Sequence, residues 1–205
     1  MARPREFDED HVLDRALHVF WDKGYEAASL ADLQEATGLT KSSLYKAFES
    51  KEGLVRRVIE RYHRDHLAFR ALALAQPTPR LIAESLLEGI VNLHTGKNTP
   101  SGCLVTLAAL ACSADARPLS EELSESRNEF ERSLRERFES VKGAGPFPEG
   151  MNSLEAAAFI STFIQGLAVQ ARGGATRRQL RLLVAAVMKS WPMEAAITGK
   201  PKAPR

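Results

Sequence analysis

Two cysteines, a net charge of only +2 and no run of eighteen apolar residues are what this 205-residue chain offers a first reader. Each shortage excludes something. Cys103 and Cys112 stand nine residues apart, about 13.5 Å along one helix at 1.5 Å per residue. That is beyond disulfide reach, so a reduced, cytoplasmic protein is expected. Without a long apolar run or an apolar segment behind a basic start, neither a membrane span nor a secretion signal is expected. His11, His18, His63, His66 and His94 form no metal box, and no Ser-His-Asp set, glycine-rich phosphate loop or paired carboxylate in an apolar setting can be read. Neither enzyme chemistry nor a metal or cofactor is expected. No stretch alternates as a strand would, which leaves an all-α fold.

The small charge does not announce nucleic-acid binding either, since residues 1–64 sum to −1. The charges are sorted by position. Residues 40–64 sum to +4, while Glu6, Asp8, Glu9, Asp10 and Asp14 gather at the front of the first helix. The informative stretch runs from Ser29 to Lys51. Ser29 is a good N-cap with Asp32 in the first turn, Leu30 and Leu33 point inward, and Gly38 stands where a left-handed residue would end the helix. Leu39 plugs the turn and Thr40 caps the next helix, where Leu44 and Phe48 face in. Outside remain Thr40, Lys41, Ser42, Ser43, Tyr45 and Lys46, with no carboxylate between Thr40 and Phe48. A helix offering only hydroxyls, lysines and a tyrosine suits a phosphate-lined groove. The reading is a helix-turn-helix, with Ser29, Thr40, Lys41, Ser42, Ser43, Tyr45, Lys46 and Lys51 as DNA-contacting residues.

The run from Gly38 to Leu54 (GLTKSSLYKAFESKEGL) resembles the signature of the tetracycline-repressor (TetR) family of bacterial regulators, and Ala16 to Tyr25 resembles its first helix. The likeness covers about residues 8 to 55. Gln34 replaces a frequent alanine and Ser42 a frequent glycine. The resemblance implies a homodimer that binds a palindromic double-stranded operator and answers to a small-molecule effector.

The first helix should run from about Asp8 to Lys23, ended by Gly24, behind a short arm carrying Arg3 and Arg5. A long helix from Ser50 to Leu74 would join the reader (1–50) through a linking segment (51–76) to an effector and dimerisation domain (77–195). Gln76-Pro77-Thr78-Pro79 makes the internal boundary. Helices are expected at Arg80 to His94, Ser101 to about Ser113, Pro118 to Val141, Ser153 to Arg172 and Thr176 to Trp191. The basic tail 196–205 should be disordered.

Two sites follow in the larger domain. Ala156, Ala157, Phe159, Ile160, Phe163, Ile164, Leu167 and Ala171 make the penultimate helix apolar over more than one face, and Leu180, Leu183, Val184, Val187, Met188 and Trp191 stripe the last. One core needs one face of each, so the surplus predicts a partner. Ile160, Phe163, Leu167, Leu183, Val187 and Trp191 are the expected interface. The resemblance implies a four-helix bundle of these two helices from each chain. Cys103, behind Pro100-Ser101-Gly102, should begin a buried helix whose free N–H groups favour a thiolate. Some relatives that repress reductases for electrophiles and quinones carry a Gly-Cys-Leu at this helix start and sense through it. Leu104, Leu107 and Ala108, with Ile90 and His94, would line the effector site. The expected function is a sequence-specific repressor released by a small apolar or electrophilic molecule. A transcriptional activator of the same family and a helical small-molecule-binding module are the alternatives.

Overall fold

In a computed structural model the described residues are 7–97, 99–110 and 116–192, the side chains of residues 109 and 110 excepted. Arg3 and Arg5 of the arm, Cys112 and the basic tail lie outside them. Among the described residues there are ten α-helices, one short 3-10 turn and no strand.

Helix α1 spans Glu9–Ala27 and is capped by the Asp8 carboxylate, which accepts the N–H groups of Asp10 and His11. Its buried face is Val12, Leu13, Ala16, Leu17, Phe20 and Trp21. Gly24, at φ +80, breaks the regular helix where glycine was expected to stop it, and one further turn follows. Helices α2 (Leu30–Thr37) and α3 (Lys41–Phe48) form the turn motif. Gly38 sits between them at φ +70 and returns its N–H to the Gln34 carbonyl, the left-handed end that no β-carbon would favour.

The long helix expected from Ser50 to Leu74 is two helices, α4 (Lys51–His66) and α5 (Phe69–Leu74). Leu67 leaves the helical conformation and its N–H reaches back to the Tyr62 carbonyl. The side chain of Leu67 is buried in the core. Periodicity alone could not show this break, because it needs neither glycine nor proline. Helix α6 covers Pro79–His94, with Thr78 capping it. Helix α7 covers Leu104–Leu110 and starts later than the Ser101 expected, while the expected end near Ser113 lies outside the described residues. Gly102, at φ +88, cannot be helical and pushes the start to Leu104. Helices α8 (Arg117–Val141), α9 (Ser153–Arg172) and α10 (Arg177–Met188) complete the set. Helix α9 is long and apolar enough to cross a membrane by composition, yet Ala156, Ala157, Ile160, Ile164, Leu167, Ala168 and Ala171 are buried inside the protein.

Two hydrophobic clusters hold these helices. The first joins α1 to α4 with Cys103, Leu104, Val105 and Ala108, Leu119 and Leu123 of α8, and Ala168 of α9. The second gathers α6, the C-terminal half of α8, α9, α10 and Trp191. The clusters therefore do not divide at residue 76, because α7 and the start of α8 pack on the reader. Polar ties reinforce the layout. Arg137 of α8 donates to the carbonyls of Leu74 and Gln76 at 2.6 and 3.0 Å, fixing the α5–α6 turn. Arg80 donates to the carbonyls of Met188 and Trp191, supplying partners at the open end of α10.

Trp191 is 1% exposed and lies 5.6 Å from Phe138 and 6.2 Å from Phe147, ring centroid to centroid. Trp191→Ala should cost about 3–5 kcal/mol. Urea unfolding would read this as a lowered midpoint, and a midpoint shifted by less than a third of that cost would place the indole outside the core.

Candidate nucleic-acid interface and effector site

Helix α3 presents its outer face as the residue types suggested. Thr40 caps it by accepting the Ser43 N–H, and its hydroxyl lies 3.0 Å from those of both Ser42 and Ser43. Lys41 and Tyr45 are exposed, the ammonium 5.6 Å from the ring centroid. Lys46 is exposed and makes no hydrogen bond or ion pair among the described residues. Ser29 is spent on capping: its hydroxyl accepts the Asp32 N–H while the Asp32 carboxylate accepts the Ser29 N–H. Lys23 hydrogen-bonds Asp32 at 2.7 Å and, with those Ser29 bonds, holds that carboxyl down at about 2. Lys51 is drawn aside. Its ammonium sits 4.6 Å over the Tyr25 ring, and burial lowers its pKa.

The excess of bases over residues 40–64 is largely consumed inside the protein. Arg57 pairs with Glu9 at 3.1 Å, and Arg61 with Asp10 at 2.6 Å and Asp14 at 3.9 Å. Arg56 grips Glu122 of α8 with two hydrogen bonds of 3.0 and 2.9 Å. The acids at the front of α1 and the bases of α4 are thus partners across one helix pair. The positive face of α3 survives because no carboxylate was placed on it.

Sequence reasoning missed the joint between reader and larger domain. Trp21 is buried, and its indole N–H donates to the Gly102 carbonyl at 2.8 Å. The next residue is Cys103, 4% exposed, whose Sγ accepts the Tyr62 hydroxyl at 3.4 Å. Trp21 meets Tyr62 edge-on at 4.8 Å, and His66 closes the aromatic group, 5.0 Å from Trp21 and 5.5 Å from Tyr62. Burial, helped by Cys103, pushes the Tyr62 phenol well up, so it stays a donor. Cys103 precedes α7 rather than standing inside its first turn, and its carbonyl takes the Leu107 N–H. A β-carbon at Gly102 would come within 2.9 Å of Leu107 and 3.0 Å of the Ala168 carbonyl, so only glycine fits the joint. No spacing in the sequence announces any of this.

The other expected effector residues divide. Leu104 and Ala108 join Cys103 in the first cluster, whereas Ile90 packs in the second. Leu107 lies against Gly102, beside Ala168 and Arg172 of α9. His94 is 1% exposed with both ring nitrogens unpartnered, and burial, with the Arg70 charge, lowers its pKa to about 4. The expected interface residues divide too. Ile160, Leu167 and Trp191 are at most 1% exposed and belong to the chain's own core, so they are withdrawn from the contact surface. Phe163 and Val187 are half-buried and Leu183 is 41% exposed.

Residues 12–58 match the family model of bacterial regulatory proteins of the tetR family. The Escherichia coli HTH-type transcriptional repressor ComR is 34% identical over 194 residues, covering 93% of this chain and 92% of its own. This chain belongs to the TetR family. A structure of the TetR family regulator CifR, a cysteine-substituted form on 26-base-pair operator DNA, superposes with a TM-score of 0.86. It is 39% identical and covers 93% of this chain and all of its own. The Escherichia coli repressor BdcR matches over half of each chain at 32% identity. The protein is accordingly a transcription regulator that binds double-stranded DNA, not an enzyme.

Two predictions arise from these surfaces. Lys46→Ala should weaken binding to every DNA sequence and flatten the salt slope by about one unit at unchanged thermal midpoint, whereas Lys51→Ala should lower the midpoint because it uncovers Tyr25. Salt-titrated fluorescence anisotropy and thermal denaturation separate the two; an unchanged slope in Lys46→Ala would turn α3 away from phosphate. The second concerns pH. His94 has a folded pKa of about 4 against an ordinary 6.5, so the unfolded chain binds the proton first and stability falls as pH drops through that window. His63 and His66 are shifted the same way by burial. His94→Gln should therefore reduce, without abolishing, the loss of urea stability between neutral and acid pH, and an unaltered pH slope would mean that its ring is hydrated.

Proposed function

We propose that this protein is a dimeric repressor released from a palindromic operator when a small molecule engages or modifies the region around Cys103. The observation that carries this is the pair of hydrogen bonds from Trp21 to Gly102 and from Tyr62 to Cys103. One comes from α1, behind the reading helix, and the other from α4, so the Cys103 segment is fastened to the reader twice. A conjugated electrophile would bond to Sγ through its β-carbon as the C=C π pair shifts to an enolate, and the thiol proton passes to that enolate. The added volume in a close-packed joint forces α1 or α4 to move. Two α3 helices must stand about 34 Å apart to enter successive major grooves, so a shift of either helix lowers operator affinity. ComR and BdcR are named repressors, which favours repression here.

A second chain would dock on α9 and α10. Their outward side chains are Phe159, Phe163 and Val169, then Leu182, Leu183 and Val187, with exposed Gly166 allowing close approach. Leu182 is 61% exposed, Val169 48% and Leu183 41%, an apolar strip with no cover in one chain.

Brief treatment with N-ethylmaleimide followed by peptide mass spectrometry tests the sensor. Cys103 should label faster than Cys112, labelled protein should release its operator, and Cys103→Ser should stay bound. An inert Cys103, or a serine variant released as readily as wild type, would reduce the thiol to packing and make the effector non-covalent. For the dimer, Phe163→Asp and Leu183→Asp should give folded monomers that lose operator binding, while Leu167→Asp should unfold the chain by burying a lone charge. Light scattering and circular dichroism distinguish these; a wild type monomeric at micromolar concentration sinks the dimer.

A further inference from the structure

The mechanism above uses Cys103, Tyr62 and Trp21 but leaves a group of buried polar side chains beside them unexplained. Arg70, on the short helix α5, has its Nε buried without a partner. Its guanidinium carbon lies over the Phe130 ring of α8, 4.0 Å from the centroid, and it makes no ion pair among the described residues. Arg70 is half-buried, and a guanidinium drawn partly out of water is ordinarily matched by a carboxylate, because desolvating a charge is costly. Around it stand other donors in the same condition. His94, from the end of α6, is 1% exposed with neither ring nitrogen bonded. The Nε2 of His63 on α4 and one Nη of Arg127 on α8 are also buried and unpartnered. Arg127 is three residues before Phe130, which puts both on one face of α8. The Arg70 charge is felt at His63 and at His94, and α5 packs along α6, the helix that ends in His94.

The groups that could neutralise Arg70 are otherwise engaged. Tyr62, held protonated by its burial, gives its hydroxyl to Cys103. Glu129 acts on His63 but does not pair with Arg70. Phe130 supplies an apolar surface against Arg70, and Leu93, Leu104 and Phe69 belong to or pack on the first hydrophobic cluster with Tyr62 and Cys103. Four helices thus carry two cationic and two imidazole side chains with unpartnered nitrogens, and among the described residues no carboxylate pairs with Arg70.

We propose that this region is the effector subsite and that it takes a small organic monoanion, a carboxylate on an apolar body, with Arg70 as its anchor. The planar guanidinium offers paired N–H donors to a carboxylate, and neutral His94 and His63 can each add one more. The apolar body would lie along Phe130 toward Leu104 and the Cys103 joint. The subsite rests on the reading of this domain as effector-binding and names the chemistry that reading leaves open.

The test is titration calorimetry of the full-length protein, without DNA, against butyrate, octanoate, dodecanoate and benzoate and against the primary amide of each. Charge-assisted hydrogen bonding should make at least one acid bind about tenfold or more tightly than its amide. Arg70→Met keeps the packing on Phe130 and removes an unpaired buried charge, so it should fold. It should bring that acid down to the affinity of the amide. Arg70→Lys, which keeps the charge without the fork, should fall between. The proposal is overturned if no acid binds, if amides bind as well as acids, or if Arg70→Met binds the acid like wild type. Operator binding, followed separately by anisotropy, keeps the two readings apart. Release by N-ethylmaleimide with no acid bound would leave the regulator intact and remove this subsite. An acid held by Arg70 that never affects operator affinity would leave the subsite and remove its regulatory role.

Discussion

Burying the indole of Trp21 without an acceptor for its N–H would carry a cost, and the joint between the two halves of the chain is built around avoiding it. A large ring is worth several kcal/mol of burial, yet its N–H would forfeit much of this without an acceptor. The acceptor is a backbone carbonyl 81 positions away, at Gly102. To present it, Gly102 takes a positive φ, α7 begins only at Leu104, and Cys103 is left next to the Tyr62 hydroxyl. A single donor on the first helix thereby fixes where a helix of the other domain starts and which side chain meets the joint. The helix-turn-helix and the Cys103 segment share one hydrophobic cluster for the same reason. Any change that displaces the Cys103 segment must disturb the packing behind the reading helix.

Charge is organised by pairing rather than by total. The acids of α1 and the bases of α4 cancel across their contact, and Arg56 extends the pairing to α8. These are mostly exposed pairs, individually worth little, and their role is to leave one uncompensated positive surface. That surface is α3, where Lys41 and Lys46 stand among hydroxyls. A nearly neutral protein can in this way meet a polyanion with a local field. Elsewhere donors go unmatched: the Nε of Arg70, the Nε2 of His63, one Nη of Arg127 and both ring nitrogens of His94 are buried without a partner among the described residues.

The last two helices divide their apolar residues between two tasks. One face of α9 and α10 closes the second core around Phe138 and Trp191, and exposed apolar residues remain at Val169, Leu182 and Leu183. Arg80, bonded to the carbonyls of Met188 and Trp191, holds the end of α10 in position, so the uncovered strip is presented on a rigid element.

The helix-turn-helix was legible because its signals are local. Ser29 with Asp32, Gly38, Thr40 and the alternation of Leu44 and Phe48 with exposed polar residues act within a few positions of one another, and backbone stereochemistry makes their meaning context-free. Family membership and the all-α fold were legible on the same grounds. What the sequence could not decide was which of two apolar faces turns inward. Ile160, Leu167 and Trp191 read as interface and became core, since periodicity reports that a face is apolar but not what covers it. Leu67 likewise carries no helix-breaking chemistry, and only its insertion into the core ends α4. The joint at Gly102 and Cys103, the diversion of Lys51 onto Tyr25 and the orphaned Arg70 depend on contacts between residues far apart in the chain, and such contacts exist only once the helices have packed.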